Sequence, residues 1–320
     1  MKIFLACPAS ARSRKGNRVT AVRWARILKD LGHRVAIGRQ YEGQACDLMV
    51  ALHARRSYDA LRRFRSRYPR GPLVIALTGT DLYRDIRTSR HAQRALEMAD
   101  RLILLQPCGL VELPAWVRDK ARVIYQSVQR SRKWPATQRR ERFEVCVLGH
   151  LRWEKDPLRV ALALRLLPAA SHVRVTHVGE ALSPALGKHA KASMARDPRY
   201  RWLGEVPRWQ ARYILERSDA LVLSSRMEGG ANVVSEAIAA GVPVLASHIP
   251  GNVGLLGEDY PGYYPVGDTA GLAGLLARAA TDGPFYQSLV RWMAGLAPLV
   301  DPARERTAWK KLLHELVRPD

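Results

Sequence analysis

A chain of 320 residues, 47% hydrophobic and 25% charged, is long enough for two α/β domains and has the composition of a globular protein that folds in water. It contains no apolar run of about 18 residues, which excludes a spanning helix. Its four cysteines are scattered with no C-x2-C pair, so neither a disulfide framework nor a zinc site is indicated. The formal net charge of +23 lies almost wholly in residues 1–142, at +20 against +3 for residues 143–320, so an anionic partner belongs with the N-terminal half.

In chain order, Ile3–Ala6 reads as a first buried strand with no signal-peptide pattern before it, and a cytoplasmic location is expected. A basic loop, Ser10–Arg18, follows and opens into a helix running from about Asn17 to Leu31-Gly32. Arg12, Arg14, Lys15 and Arg18 gather there around Gly16 and Asn17, and cations beside a glycine at a helix N-terminus suit an anion. Apolar runs at Val35–Ile37, Leu48–Leu52, Leu73–Leu77, Leu102–Leu105 and Val123–Tyr125 alternate with an arginine-rich helix and a helix at Ala92–Ala99. The alternation predicts a parallel, doubly wound sheet. No G-x-G-x-x-G follows the first strand, which disfavours a dinucleotide oxidoreductase. Gln129–Arg142 breaks the pattern with charge and a proline and reads as a linker. Domains are therefore expected at 1–135 and 136–300, with a closing helix in 301–320.

The second half repeats the alternation, with strands near Glu144–Leu148, Val173–Val178, Ala220–Leu223 and Val244–Ala246 and helices near Pro157–Leu167, Pro184–Arg196 and Trp209–Arg217. Two stretches carry chemistry. Gly149 to Asp156, GHLRWEKD, directly follows the strand that opens this half, with His150, Arg152 and Lys155 as its cations. Ala220 to Ser247 is a strand-loop-helix-strand unit that holds Glu228 and Glu236, eight positions apart, with a glycine pair between them. Ligands of such units sit at the carboxyl ends of the strands, and the amides of Gly229, Gly230, Ala231 and Asn232 point toward an anion at the helix N-terminus. The spacing of the two glutamates alone fits two solvated carboxylates equally well.

The glycine pair and the AIAAGVPVLAS exit closely resemble the donor-sugar site of retaining glycosyltransferases of family 4, with the GT-B fold. The resemblance implies an α/β protein of two Rossmann-like domains facing each other across a cleft, the donor held by the C-terminal one and the acceptor by the N-terminal one. It gives Glu228 to the donor sugar and Glu236, beyond Val233, to the ribose hydroxyls, for which an ionised carboxylate is the right acceptor. Gly149–Asp156 resembles the family's G-R-L-x-x-E-K-G segment, whose two cations bind the donor diphosphate; Lys155 matches, and the second cation is His150 or Arg152. With Glu228, Lys155 and Arg152 are the catalytic candidates. Gly204-Glu205-Val206 resembles the loop that holds the base, which adds Val206 to the donor set. Thr78-Gly79-Thr80-Asp81 stands where the family has His-Gly-x-Asp, so Thr78 replaces a histidine and offers no base near neutral pH. No D-x-D pair is present, so no metal and no cofactor are expected, and the diphosphate would be met by protein cations.

Through ALTGTDLYRDI, VIYQSV, GHLRWEKDP and EGGANVVSEA the chain looks like the bacterial selenosugar synthases of selenoneine biosynthesis, a branch of that family. This implies transfer from a UDP-sugar, UDP-glucose or UDP-N-acetylglucosamine, to selenophosphate, leaving a 1-seleno-sugar, UDP and phosphate. The acceptor residues would come from the Ser10–Arg18 and Thr78–Asp81 loops. Neither nucleic acid nor stable membrane insertion is expected. One rival reading is a family 4 enzyme acting on a hydroxyl of an anionic lipid or saccharide, its basic face meeting a membrane. Another, from charge alone, is a nucleic-acid-binding protein, against which stand 7% aromatic content and no RRM, KH or zinc-finger signature.

Overall fold

The computed structural model describes residues 1–11, 13, 15–129 and 141–317. Arg12, Arg14 and positions 130–140 of the expected linker lie outside the described residues. The chain divides into two compact units, one of Met1–Ser127 with Glu228–Asn232 and Asp301–Asp320, the other of Val128–Met227 with Val233–Val300.

The first unit is built on six parallel strands, β1 (Lys2–Ala6), β2 (Arg34–Gly38), β3 (Leu48–Leu52), β4 (Leu73–Leu77), β5 (Arg101–Leu104) and β6 (Ala121–Val123), in the order β2-β1-β3-β4-β5-β6. The runs LMVAL of β3 and LVIAL of β4 are buried at every position because both faces of a parallel sheet are covered. Alternate side chains divide between the faces. Ile3 and Leu5 meet Trp24 and Leu28 of the first helix, Gly16–Asp30, together with Trp309 and Leu312 of the closing helix, Pro302–Val317. Phe4 and Ala6 meet Leu61 and Phe64 of the helix Tyr58–Arg67 on the other face. Trp24 and Trp309 lie edge to face with centroids 5.0 Å apart, so the last helix completes the core of the first unit.

The second unit has β7 (Phe143–Leu148), β8 (Val173–Val178), β9 (Tyr200–Trp202), β10 (Ala220–Leu223), β11 (Val244–Ser247) and β12 (Tyr263–Tyr264), parallel, in the order β12-β11-β10-β7-β8-β9. Each sheet reverses its strand order once, between β1 and β3 in the first unit and between β7 and β10 in the second. At such a switch point the connections leave to opposite faces, and a crevice opens at the carboxyl ends of the two strands. The loops after β1, β3, β7 and β10 are the ones set there.

The structure differs from the sequence expectations in a few elements. The sixth strand is Ala121–Val123 rather than Val123–Tyr125, pairing Leu102 with Ala121 and Leu104 with Val123. It is an edge strand that starts on half-buried Ala121 and Arg122, so the apolar run marks only its end. Strand β12 and the helices Pro250–Leu256 and Thr269–Thr281 were not expected. Two residues are too few to alternate, the first of these helices carries two glycines, and the second is apolar on most of its surface. No helix among the described residues is long and apolar enough to cross a membrane.

Candidate functional site

In the second unit the loop after β7 is anchored at its start by the neighbouring strand β8. Gly149 N–H donates to Val178 O at 2.9 Å, and its carbonyl lies 3.2 Å from Nε2 of His177, whose Nδ1 is 2.8 Å from the Tyr200 hydroxyl. Complete burial pushes the pKa of His177 down to about 4, so the imidazole is neutral, with Nε2–H donating to Gly149 O and Nδ1 accepting from Tyr200. Gly179 allows the close approach: a Cβ there would stand 2.0 Å from Gly149 O.

From Gly149 the chain runs along the carboxyl edge of the sheet. His150 Nδ1 accepts the Glu180 N–H at 3.1 Å, Leu151 bridges to Ala181, and a single tight turn spans Trp153–Lys155. Asp156 closes that turn in left-handed backbone, φ 42°, and its carboxylate receives Arg159 at 2.8 Å and Arg226 at 3.6 Å. Ser224 Oγ donates to the carbonyls of Lys155 (3.3 Å) and Asp156 (2.8 Å), and Arg226 N–H to Glu154 O (2.8 Å). The turn carrying Arg152 and Lys155 is thereby stitched to the segment that follows β10. The loop with Val206 reaches the same edge through Gly204, whose carbonyl accepts the Gly179 N–H at 2.8 Å. Val233 and Glu236 lie in the first turns of the helix Asn232–Ala240, with Glu236 Oε1 accepting from Arg208 at 3.1 Å. The second unit thus collects His150, Arg152, Lys155, Val206, Val233 and Glu236 on one edge.

The segment Glu228–Asn232 belongs to the first unit, and its glycines decide how closely it lies there. A Cβ on Gly229 would fall 2.5 Å from the carbonyl carbon of Thr78, and one on Gly230 2.5 Å from Cβ of Leu105. Neither neighbour can move aside, because one is backbone and the other is packed into the sheet. Gln126 Nε2 donates to Gly230 O at 2.7 Å, and Arg23 donates to Asn232 Oδ1 at 2.9 Å and to Gln126 Oε1 at 2.6 Å. Arg23 is held in turn by the buried carboxylate of Glu305 at 3.2 Å, on the closing helix. Glu228 and Ala231 are buried in this arrangement.

The Thr78–Asp81 loop borders that segment. Asp81 is wholly buried, its Oδ1 accepting the N–H groups of Thr78 (2.9 Å) and Gly79 (2.8 Å) and its Oδ2 that of Ala54 (3.1 Å). Its carboxylate shapes the loop and reaches no solvent. Thr78 and Thr80 are half-buried, and Gly79, at φ 150°, faces the Gly229 amide. Of the basic loop, Lys15 and Gly16 are exposed and Asn17 and Arg18 half-buried at the start of the first helix, where a Cβ on Gly16 would lie 3.8 Å from Asn232 Nδ2. Both candidate acceptor loops therefore adjoin the 228–232 segment within one unit. Sequence reasoning missed Arg23, Gln126 and His53; only His53, the first polar residue after the apolar run of β3, left a local signal. Among the described residues no group of three or more His, Cys, Asp or Glu side chains could hold a metal ion.

Residues 129–291, half of the chain, match the family described as glycosyl transferases group 1. The chain belongs to this family. A relative in Xenopus tropicalis, glycosyltransferase 1 domain-containing protein 1, is 25% identical over 82% of this chain and 83% of its own length. Among solved structures, HepE from Anabaena in complex with UDP and glucose superposes with a TM-score of 0.78 at 18% identity, covering 98% of this chain and 100% of that one. Sucrose-phosphate synthase from Thermosynechococcus elongatus gives a TM-score of 0.79 at 14% identity, covering 99% and 98%. The two parallel sheets are those of the GT-B fold, and the chain is a glycosyltransferase.

Proposed function

We propose that this glycosyltransferase moves a sugar from a UDP-sugar, UDP-glucose or UDP-N-acetylglucosamine, to selenophosphate in the cytoplasm, without a metal or other cofactor. The C1–O bond to the diphosphate breaks as a C1–Se bond forms. Hydrolysis of the Se–P bond, with water supplying oxygen to phosphorus, then leaves the 1-seleno-sugar, UDP and phosphate. In this reading Lys155, with Arg152 or His150, meets the diphosphate, Glu236 the ribose, Val206 the base and Glu228 the transferred sugar. The Gly229–Val233 amides lie at a helix N-terminus, where a diphosphate is favoured. HepE, of the same fold, is solved with UDP and glucose, which supports the donor class.

The observation that carries the acceptor half is the company kept by the Glu228–Asn232 segment: the basic start of the first helix on one side and, on the other, a loop with Thr78 where a histidine would be the base. A neutral hydroxyl must lose a proton during transfer, and an ionised selenophosphate need not. Lys15 and Arg18, with Arg12 and Arg14 of the same loop, supply the positive charge such an acceptor requires. Incubation with selenophosphate and a panel of UDP-sugars, followed by mass spectrometry, should show a selenium-containing sugar and UDP. Transfer only to hydroxyl acceptors would support the lipid or saccharide reading instead.

A further inference from the structure

His53 directly follows β3 at the switch point of the first sheet, and the donor and acceptor motifs do not include it. It is a non-glycine residue in left-handed backbone, φ 72°, a conformation that persists only where the surroundings hold it and that gathers at functional sites. Its backbone is pinned from both directions. His53 N–H donates to Ala76 O at 2.8 Å, and His53 O accepts the Ser57 N–H at 3.1 Å. The ring, with its side chain 3% exposed, touches Thr80 Oγ1 through Nε2 at 3.0 Å and the Arg56 N–H through Nδ1 at 3.4 Å.

Those two contacts assign the ring proton. Nδ1 faces a donor and so carries a lone pair; Nε2 therefore carries the hydrogen and donates it to Thr80 Oγ1. The charged groups around the ring leave this unchanged. Asp81 Oδ2 is 3.9 Å from Nδ1 and already accepts the Ala54 amide, while Asp85 Oδ2 is 3.9 Å from Nε2 and accepts Arg55 at 2.7 Å. Burial lowers the pKa of His53, with the Arg55 and Arg56 charges adding to the effect and Asp81 and Asp85 opposing it, so the ring is neutral near pH 7. With one lone pair of Thr80 Oγ1 occupied, the hydroxyl proton of this half-buried residue points away from His53. Thr80 sits one residue past Gly79, whose Cα faces the Gly229 amide.

We infer that Thr80 donates its hydroxyl proton to an oxyanion of the acceptor, and that His53 is the positioning residue that turns this hydroxyl into a fixed donor. The inference rests on the reading of the acceptor as an anion. It also deepens that reading, since a hydroxyl whose orientation is set as a donor favours an anion over a neutral alcohol.

Steady-state kinetics with selenophosphate, calorimetry with UDP and ¹⁵N spectra of the imidazole test it together. His53→Gly removes the ring and accepts φ 72° without strain, and Thr80→Val removes the hydroxyl at nearly constant shape. Each should raise the selenophosphate KM by about tenfold or more, as expected for loss of one hydrogen bond to a charged group, with UDP affinity unchanged. The double variant should be no worse than either single one, and His53→Asn and Thr80→Ser, which keep a donor, should recover most of the loss. Unchanged KM in both single variants, equal loss of UDP affinity, or a ¹⁵N spectrum showing Nδ1 protonated would overturn the inference. If the wild type does not consume selenophosphate, the proposed function fails on its own. The spectrum, and the affinity of wild type and Thr80→Val for inorganic phosphate, then decide the His53–Thr80 claim: equal affinity defeats it and weaker binding by the variant upholds it.

Discussion

Glu228 and Glu236 are eight residues apart in sequence, yet their surroundings separate their parts. Glu228 lies in the buried segment beside Thr78 and Gly79, whereas Glu236 is half-buried on the second unit's helix and already accepts a guanidinium from Arg208. On the proposed roles, Glu236→Ala should weaken UDP about tenfold, on the order of one lost charge-assisted hydrogen bond. Glu228→Gln should spare UDP and lower turnover. Calorimetry showing full UDP affinity in Glu236→Ala would reverse the assignment. The proposed motif residues were picked out in the sequence because their signals are local: glycines, cations and carboxylates at set offsets after apolar runs. His53 and Arg23 were not, since their meaning lies in partners 27 and 209 residues away, Thr80 and Asn232.

At the scale of elements, two buried groups hold the pieces that position the site. Glu305 brings the closing helix into the first unit, accepting Arg23, Trp24 Nε1 at 2.7 Å, and both the amide and hydroxyl of Ser127. Removing the carboxylate would take the opposite charge of Glu305 from the buried Arg23 guanidinium and an acceptor from Trp24 Nε1, so Glu305→Ala should cost about 3–5 kcal/mol in urea unfolding. A loss below about 1 kcal/mol would show that the helix is held by its tryptophan contact alone. His177 supports the β7 loop and ties stability to pH. Its pKa falls from the ordinary value near 6.5 to about 4 on folding, so between those values the unfolded chain binds more protons than the folded one. Stability is full above pH 6.5, declines as pH falls toward 4, and has then lost up to about 3 kcal/mol. His177→Gln should flatten that slope; an unchanged acid limb would exclude His177 as its source. Most strands were legible as apolar runs, and β3 and β4 stand where they were expected. The miss at β6 and the absence of β12 from the expectations share a cause: edge strands are short and half-buried, and apolar patterning weakens there.

Over the whole molecule, the charge asymmetry and the alternating elements told of two α/β halves, while the lateral order of strands did not show. A parallel sheet's order depends on which way each crossover turns, and no local pattern encodes that choice. The order matters because it sets the loops after β1, β3, β7 and β10 at the two switch points. It also bears on metal dependence. The cations on the β7 loop belong to the protein itself, so EDTA should leave turnover nearly unchanged, whereas Lys155→Ala should lower it about 10²–10³-fold as a lost oxyanion donor does. Activity abolished by EDTA and restored by Mg²⁺ would contradict this account of the diphosphate.

The central claim is that the acceptor arrives already ionised, and a competition at equal concentrations measures it most directly. With one UDP-sugar and saturating enzyme, selenophosphate is offered together with a neutral alcohol acceptor such as a simple glycoside, and the products are counted by mass. The account predicts that the selenium-bearing sugar dominates and that the preference shrinks when Lys15 and Arg18 are replaced by alanine. A product mixture led by the alcohol, or a preference untouched by those substitutions, would contradict it.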